Sequence, residues 1–324
     1  MKKEAEILPF KIILIVLAAL IALVLLLSLV CFFLVFYSTK KSRIDKDEYP
    51  LPPGDEYIPY HPRIKEWLVA MRATECREVS VQSYDGLTLK GRYFEHHRGA
   101  PIEVLFHGYR GSSERDMAGG VARCFALGRN ALIVDQRAAG KSEGSVITFG
   151  IKESRDVPVW VDFVVNNIDP EAKIIITGIS MGASTVMMAA SRPLHKNVVG
   201  VLADCGYTSA DAIIKKVLVD IKLPPKVVYP FVRLGAIIFG GFDPNSYSPI
   251  ESMSKCTLPV IFYHGDEDGF VPCYMSEQNF AACASKQKKL VITPGAAHGL
   301  CYPRDEQSYL EALDAFFEPQ LKEN

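Results

Sequence analysis

The chain has 324 residues, of which 49% are apolar and 23% are charged, and its formal net charge is −1. This composition excludes a disordered chain, a collagen-like repeat and a small disulfide-stapled scaffold. The near-neutral charge argues against nucleic-acid binding, which depends on a surplus of basic residues. The mean hydropathy of +0.12 is high for a chain with this many charges and indicates a strongly apolar segment.

One apolar segment near the N-terminus supplies much of this hydropathy. Residues 12–37 carry no charge, and Ser28 is their only clearly polar residue. As a helix they would be about 39 Å long, more than the roughly 30 Å of a bilayer core. A buried soluble helix keeps a polar stripe, and a signal peptide has a shorter apolar region that ends in small residues. The segment therefore predicts an uncleaved single-pass membrane anchor, preceded by an N-terminal tail at residues 1–11.

The side of the membrane that holds the rest of the chain stays open. Three basic residues precede the segment and four follow it, so the excess of basic residues that marks the inner side decides nothing. They are Lys2, Lys3 and Lys11 on one side and Lys40, Lys41, Arg43 and Lys46 on the other. A short N-terminal tail favours an external domain. The seven cysteines beyond the segment lack CxxC spacing and resemble buried free thiols, which suit a reducing compartment.

The remainder of the chain predicts one α/β domain behind a short spacer. Residues 38–60 are rich in proline and predict a stiff spacer. Within residues 61–324 the pattern predicts a helix at 62–73 and then a hairpin whose strands, 78–83 and 87–94, flank an Asp-Gly turn.

Short apolar runs then alternate with helix-like stretches. The runs are residues 102–106, 131–134, 173–177, 198–203, 259–263 and 289–292. This alternation predicts a doubly wound, mostly parallel sheet with antiparallel first strands. Ligands of such sheets bind beyond the carboxyl ends of the strands, so the residues that follow each run are the candidates for a site.

A candidate nucleophile follows the third of these runs, residues 173–177. Residues 178–182 read Gly-Ile-Ser-Met-Gly, a G-x-S-x-G pattern between a strand and a helix, and Ser180 is its serine. A tight turn of this kind needs small residues on both sides and holds the serine hydroxyl exposed in a strained conformation. The alternative is an ordinary loop whose serine caps the following helix.

Elimination among seven histidines selects His298 as the base. His61 lies in the spacer region, His96 and His97 lie in a surface loop after the second strand, and His195 follows the helix after the candidate nucleophile. His107 and His264 each belong to a His-Gly pair at a strand end. His298 follows the last apolar run and is flanked by small residues that leave room for its imidazole.

The sequence offers several acidic residues as the carboxylate that orients the base and does not choose among them. Asp266, Glu267 and Asp268 follow one strand and Asp204 follows the strand before it, and spacing does not separate them. An acyl-transfer site also needs donors for the oxyanion. We predict the backbone N–H of Met181 and that of Tyr109, with Arg110 as the alternative to Tyr109.

Five short motifs occur in a single order across residues 79–317. They cover residues 107–111, 135–142, 178–182, 264–272 and 297–299. In this combination the chain resembles the α/β-hydrolase superfamily, and within it bacterial membrane-anchored hydrolases similar to prolyl-oligopeptidase-like and monoacylglycerol-lipase-like enzymes. The resemblance implies the α/β-hydrolase fold and implies Asp268 as the acid over Asp266. Ala138-Ala139 departs from the Gly-aromatic or Gly-His pair common in these proteins.

An insertion of about 50 residues separates the strand before Asp204 from the next one. We predict a small helical cap at about residues 210–255, with a helix at 210–222 and an apolar stretch at 227–241. An apolar lid suits an acyl substrate. Routine packing of a crossover helix and a cap that faces the membrane are the alternatives.

Together these features predict a membrane-anchored serine hydrolase that acts on a carboxylic ester of a small or lipid-like molecule. Thioesters and amides, a peptidase of the same fold, and a non-catalytic membrane-tethered binding protein are the alternatives. No cofactor is predicted, because residues 140–142 lack the earlier glycine of a phosphate-binding loop. No metal is predicted either, because His264 and Asp268 have no further ligand set around them in the sequence.

Overall fold

The computed structural model describes residues 2–39 and 48–322, with side chains from Pro9 onward. Lys40, Lys41, Arg43 and Lys46, and the side chains of Lys2 and Lys3, lie outside the described part. The chain divides into two compact units. The first, Met1–Tyr37 with Ile214–Asp243, is called the helical unit below, and the second, Ser38–Ile213 with Pro244–Asn324, is called the sheet unit.

The sheet unit contains eight strands in the spatial order β1-β2-β4-β3-β5-β6-β7-β8. They are β1 (Arg77–Gln82), β2 (Thr88–Phe94), β3 (Ile102–Phe106), β4 (Asn130–Asp135), β5 (Ile174–Ile179), β6 (Val198–Asp204), β7 (Val260–Gly265) and β8 (Lys288–Thr293). β2 pairs antiparallel with β1 and with β4, and all later pairs are parallel. The predicted doubly wound sheet with antiparallel first strands is confirmed.

Helices cover both faces of this sheet. They are α2 (His61–Ala73), α3 (Ser113–Ala126), α4 (Val157–Asn167), α5 (Met181–Ala189), α8 (Pro249–Met253), α9 (Tyr274–Ala282), α10 (Cys301–Arg304) and α11 (Glu306–Lys322). Apolar side chains of α4 and α5 form the core on one face, and those of α2, α3 and α11 form the core on the other. Because both faces are covered, the residues of β3, β4 and β5 are buried almost without a break, with no alternation between buried and exposed positions.

The helical unit contains the apolar N-terminal helix. α1 (Lys2–Val35) includes the predicted segment almost to its end, and the insertion contributes α6 (Ala210–Asp220), which begins in the sheet unit, and α7 (Pro225–Gly240). Among the described residues, Pro9–Val35 is the one helix whose length and composition would allow it to cross a membrane.

A buried charge cluster ties the sheet to α3. Glu103 on β3 is fully buried and accepts hydrogen bonds from Arg123 at 2.5 Å, from Arg129 at 2.7 Å and from Thr177 at 2.9 Å. Burial alone would raise the pKa of Glu103, but the two guanidinium groups and the hydrogen bonds outweigh it and lower the pKa to about 2.

Replacement of Glu103 by glutamine should strongly destabilise the protein, because two buried guanidinium groups lose their counter-charge. We expect a loss of about 3–5 kcal/mol, or roughly 6–20 °C in apparent Tm. Since the pKa is lowered on folding, this stabilisation is complete above pH about 4.5 and is lost as the pH falls toward 2. Thermal unfolding followed by circular dichroism measures both effects.

Glu78→Gln is the matched control, because Glu78 pairs with Lys141 on the surface and both side chains are exposed. An unchanged Tm for Glu78→Gln is expected. Equal small shifts for the two variants would show that the buried cluster does not hold the sheet and α3 together.

Candidate active site

The turn between β5 and α5 carries Ser180 in a strained conformation. Its φ is 55° and its ψ is −118°, values that non-glycine residues rarely adopt. A Cβ on Gly178 would lie 2.1 Å from the backbone of Gly182, and a Cβ on Gly182 would lie 1.9 Å from the carbonyl oxygen of Phe106. The chain therefore needs glycine at both positions to bring β5, α5 and β3 together around the serine.

The structure brings Ser180, His298 and Asp268 into one hydrogen-bonded line. His298 Nε2 lies 2.9 Å from Ser180 Oγ, and His298 Nδ1 lies 2.7 Å from Asp268 Oδ2. Ser180 and Asp268 are buried and the imidazole is partly exposed. Both imidazole nitrogens are thus engaged in the orientation that a general base between a hydroxyl and a carboxylate requires.

Asp268 is held as a carboxylate by its partners. Its Oδ1 accepts hydrogen bonds from the backbone N–H of Phe270 at 2.9 Å and of Val271 at 2.8 Å. Burial alone would raise the pKa of Asp268, but the hydrogen bonds of His264 and His298 outweigh it and hold the pKa well below its ordinary value. An ionised Asp268 can stabilise the imidazolium that forms during proton transfer.

The other acidic candidates have different positions. Asp266 is exposed and its Oδ1 accepts the backbone N–H of Gly295 at 2.7 Å, which shapes the loop before His298. Glu267 is exposed. Asp204 is buried, and its Oδ2 accepts the hydroxyl of Tyr309 at 2.9 Å. Burial raises the pKa of Asp204. Of the four candidates, Asp268 is the one whose carboxylate bonds to His298.

Two other histidines at strand ends have structural partners. His264 Nε2 lies 2.7 Å from the carbonyl oxygen of Val271 and 3.2 Å from Asp268 Oδ2, so this nitrogen is the one that donates. Its Nδ1 lies 2.6 Å from Ser276 Oγ. His264 therefore helps to hold in place the loop that carries Asp268. His107 is buried, and its Nε2 accepts the backbone N–H of Gln136 at 3.1 Å.

The predicted oxyanion donors lie beside the serine. Met181 is the first residue of α5, so its N–H has no acceptor within the helix. On the loop after β3, the N–H of Gly108 donates to Asp116 Oδ2 at 3.0 Å, and Tyr109, the donor predicted from the sequence, is the next residue and lines the same cavity as Ser180. A Cβ on Gly108 would lie 3.5 Å from the Ser180 Cβ, so this loop approaches the nucleophile closely.

A cavity of about 410 Å³ opens beside Ser180 and His298. Its walls are mostly apolar and come from the strand ends, α2, α3 and α10, including Trp67, Leu105, Met117, Leu202 and Tyr302. All of its lining residues belong to the sheet unit. An apolar pocket of this volume fits a small acyl or aromatic group next to the serine.

The segment before α2 supplies part of this cavity, a contribution that sequence reasoning missed. Pro52, Pro53 and Tyr57 line it, and Tyr57 donates its hydroxyl to the backbone carbonyl oxygen of His298 at 2.9 Å. Burial raises the pKa of Tyr57, so the hydroxyl stays a donor and tethers the His298 loop. The aromatic residues in a proline-rich stretch were the available signal, since a solvated spacer has no use for them.

Cys205 shares its surroundings with two of the site residues. One ligand atom each from Cys205, Asp268 and His298 lies within 4.8 Å of the others. Burial raises the pKa of the Cys205 thiol well above its ordinary value, whereas a metal ligand has to be a thiolate. Asp268 and His298 are also bonded to each other. These three residues therefore do not fit a metal centre.

The loop that contains Ala138 and Ala139, where α/β-hydrolases commonly have a Gly-aromatic or Gly-His pair, is held by hydrogen bonds to Asp135. Its carboxylate accepts the N–H groups of Ser113 at 3.0 Å and Lys141 at 2.9 Å. Ala138 has a φ of 61°, a conformation in which glycine is free of strain and alanine is not. The departure thus places modest backbone strain in this loop.

Comparison with known proteins finds a family model, several relatives and many solved structures that are similar to this chain. A model of the prolyl oligopeptidase family matches residues 241–324, about a quarter of the chain. The chain is 26% identical over 193 residues to the uncharacterized protein YqkD of Bacillus subtilis, covering 59% of this chain and 63% of that protein, a little under two thirds of its length. It is 25% identical over 231 residues to protein bem46 of Schizosaccharomyces pombe, covering 69% and 71%.

Among solved structures, the esterase Pf2001 of Pyrococcus furiosus is similar with a TM-score of 0.64 and 21% identity. The match covers 84% of this chain and 97% of the esterase. At this identity the similarity establishes a common fold.

Replacement of Gly182 by alanine should disrupt the site and destabilise the sheet unit, because the new Cβ meets the fixed backbone of Phe106. We expect at least about 3 kcal/mol of destabilisation, or a fall of roughly 6 °C or more in apparent Tm. Gly269→Ala is the control, since a Cβ there meets open space and the position has no positive φ. A Gly182→Ala variant as stable as Gly269→Ala would contradict the packing argument.

Proposed function

We propose that this chain, a member of the α/β-hydrolase superfamily, is a serine hydrolase that cleaves carboxylic esters through an acyl-enzyme on Ser180. The observation that carries the proposal is the continuous hydrogen bonding from Ser180 Oγ through His298 to Asp268. A serine that only capped a helix would have no need of an imidazole and an ionised carboxylate in line with it.

Acylation follows from this geometry. His298 Nε2 accepts the Ser180 hydroxyl proton as Oγ attacks the ester carbonyl carbon. Asp268 keeps Nδ1 protonated and stabilises the imidazolium. The negative charge of the tetrahedral intermediate falls on the former carbonyl oxygen. This oxygen accepts hydrogen bonds from the backbone N–H groups of Met181 and Tyr109. Collapse of this intermediate breaks the ester C–O bond, and His298 returns the proton to the departing alcohol.

Deacylation repeats the steps with water. His298 takes a proton from water as its oxygen attacks the acyl carbon, and the proton then passes to Ser180 Oγ as the acid leaves. Tyr57 contributes indirectly, because its hydrogen bond to the His298 backbone helps to keep the imidazole between its two partners.

The cavity supports an apolar acyl group of modest size as the substrate feature that the protein recognises. The length and composition of α1 support a role as a membrane anchor, which would leave the sheet unit tethered beside lipid. We therefore favour esters of small, membrane-accessible molecules.

A fluorophosphonate probe tests the proposal, because it phosphonylates a serine only where a base activates it. The full chain should label with one probe per molecule, and Ser180→Ala should not label. Ser254→Ala is the matched control, since Ser254 is an exposed serine whose hydroxyl donates to the Glu251 carbonyl oxygen. Equal labelling of wild type and Ser180→Ala would overturn the assignment.

Turnover of a short p-nitrophenyl ester then separates an enzyme from a binding protein. We expect kcat to fall by about 10⁴-fold or more in His298→Ala, and by roughly 10³–10⁴-fold in Asp268→Asn, which keeps the shape but loses the charge. If His298→Ala and Asp268→Asn both hydrolysed the ester as fast as wild type, the mechanism would be excluded.

A peptidase activity is the second candidate, favoured by the prolyl oligopeptidase match to residues 241–324. Comparison of acyl esters with aminoacyl p-nitroanilides on wild type and Ser180→Ala separates the two. Larger Ser180-dependent kcat/KM values for the anilides would favour the peptidase.

A further inference from the structure

The packing within the helical unit joins the insertion to the apolar helix α1. Ser28 and Phe32 on α1, and Phe36 directly after its last residue, follow one another at intervals of four residues. A Cβ on Gly235 of α7 would lie 2.3 Å from the carbonyl oxygen of Ser28, so the two helix backbones approach each other as closely as glycine permits. Small residues at the crossing are typical of helices that associate within membranes.

Aromatic contacts extend this packing toward the end of α1. The ring centroids of Phe32 and Phe239 are 6.0 Å apart, and those of Phe36 and Phe242 are 5.2 Å apart in an edge-to-face arrangement. Phe32 and Phe36 are buried although most of α1 is exposed. α7 thus packs against the last third of α1.

The position of these contacts along α1 sets the depth of α7. Pro9–Val35 contains 27 residues, about 40 Å as a helix, whereas a bilayer core needs about 30 Å. The last turns of α1 therefore reach the boundary between acyl chains and headgroups if α1 spans the bilayer. α7 then lies at that boundary, since it packs on those turns.

The outer surface of the insertion is apolar where a protein in water would be polar. Val219, Ile221, Leu223, Val227, Ile237, Ile238 and Phe239 are all exposed, and together they are called the insertion face. Exposed large apolar side chains of the described sheet unit are fewer and scattered, namely Ile58, Val69, Phe270 and Tyr274. Val227 is 60% exposed and Ile238 is 48% exposed. Such a concentration marks an interaction surface.

Basic residues accompany the insertion face. Lys222 and Lys226 are exposed on either side of Leu223 and Pro224. Lysine interleaved with exposed aliphatic side chains is typical of segments that lie in the headgroup region of anionic membranes.

We propose that the insertion face is seated in the headgroup and outer acyl region of a lipid bilayer, alongside α1, so that the protein is held at the membrane by two helices rather than one. This inference rests on the proposed membrane anchoring by α1 and adds a second contact to it. The occupant is lipid rather than a second chain, because α7 already packs against the end of the membrane-length helix, and Lys226 on α7 and Lys222 just before it are exposed.

Quenching by brominated lipids tests the proposal on the full chain in vesicles of phosphatidylcholine and phosphatidylglycerol. Three single variants report position: Leu26→Trp on α1, Ile238→Trp on the insertion face and Val69→Trp on the exposed side of α2. Emission from the native Trp67 and Trp160 is subtracted with the parent protein, and Tm shows that each variant is folded.

We expect Leu26→Trp to be quenched by bromines deep in the acyl chains and Val69→Trp to be unaffected. Ile238→Trp should lose roughly half of its emission to bromines near the headgroup end, because interfacial helices bury about 5–10 Å deep. Quenching of Leu26→Trp without Ile238→Trp would overturn the second contact while leaving the anchor in place. An Ile238→Trp signal that responds to protein density instead of bromine would also overturn it and indicate a second chain.

The outcome is independent of the esterase proposal. Fluorophosphonate labelling of Ser180 is measured on the same vesicles, so loss of labelling reports on the catalytic proposal and loss of bromine quenching reports on this one.

Discussion

The close approach of three backbone segments governs the rest of the site. β5 enters the turn, α5 leaves it, and β3 passes so near that the Cβ of an alanine at position 182 would lie 1.9 Å from the Phe106 carbonyl oxygen. This crowding is possible only with glycine on both sides of Ser180, and it forces Ser180 to a φ of 55°. The strain is stored in a fold stabilised elsewhere, and its result is a hydroxyl presented to His298 at 2.9 Å.

Burial and partner charges act together in two places. At the site, Asp268 is out of water and yet ionised, because two histidines and two backbone N–H groups bond to it. In the sheet, Glu103 is out of water and ionised because two arginines face it. In both cases the desolvated charge is acceptable only with its partners, so each fixes neighbouring elements in one arrangement.

The sequence predicted the order and type of the strands well, because fully buried parallel strands leave continuous apolar runs. The G-x-S-x-G turn and His298 were also accessible, since both depend on small residues at strand ends. The acid was not separable by spacing: Asp266, Glu267 and Asp268 follow the same strand, and only the direction of each side chain in the loop brings Asp268 to His298. The resemblance to α/β-hydrolases, not the residues alone, favoured Asp268.

The contribution of Tyr57 was out of reach for a different reason. Its hydrogen bond to His298 joins residues 241 positions apart, and no local pattern encodes such a contact. The insertion shows a similar limit. Its apolar residues were visible in the sequence, but the need for glycine at position 235 follows from the close approach of the Ser28 backbone, which only the structure shows.

Rapid-quench mass spectrometry of the full chain with a p-nitrophenyl ester tests the central claim most directly. We expect a mass increase of one acyl group per chain within the first turnover, located on the peptide that contains Ser180 and absent from Ser180→Ala. An acyl adduct on another residue, or hydrolysis that proceeds without any adduct in wild type and continues in Ser180→Ala, would contradict it.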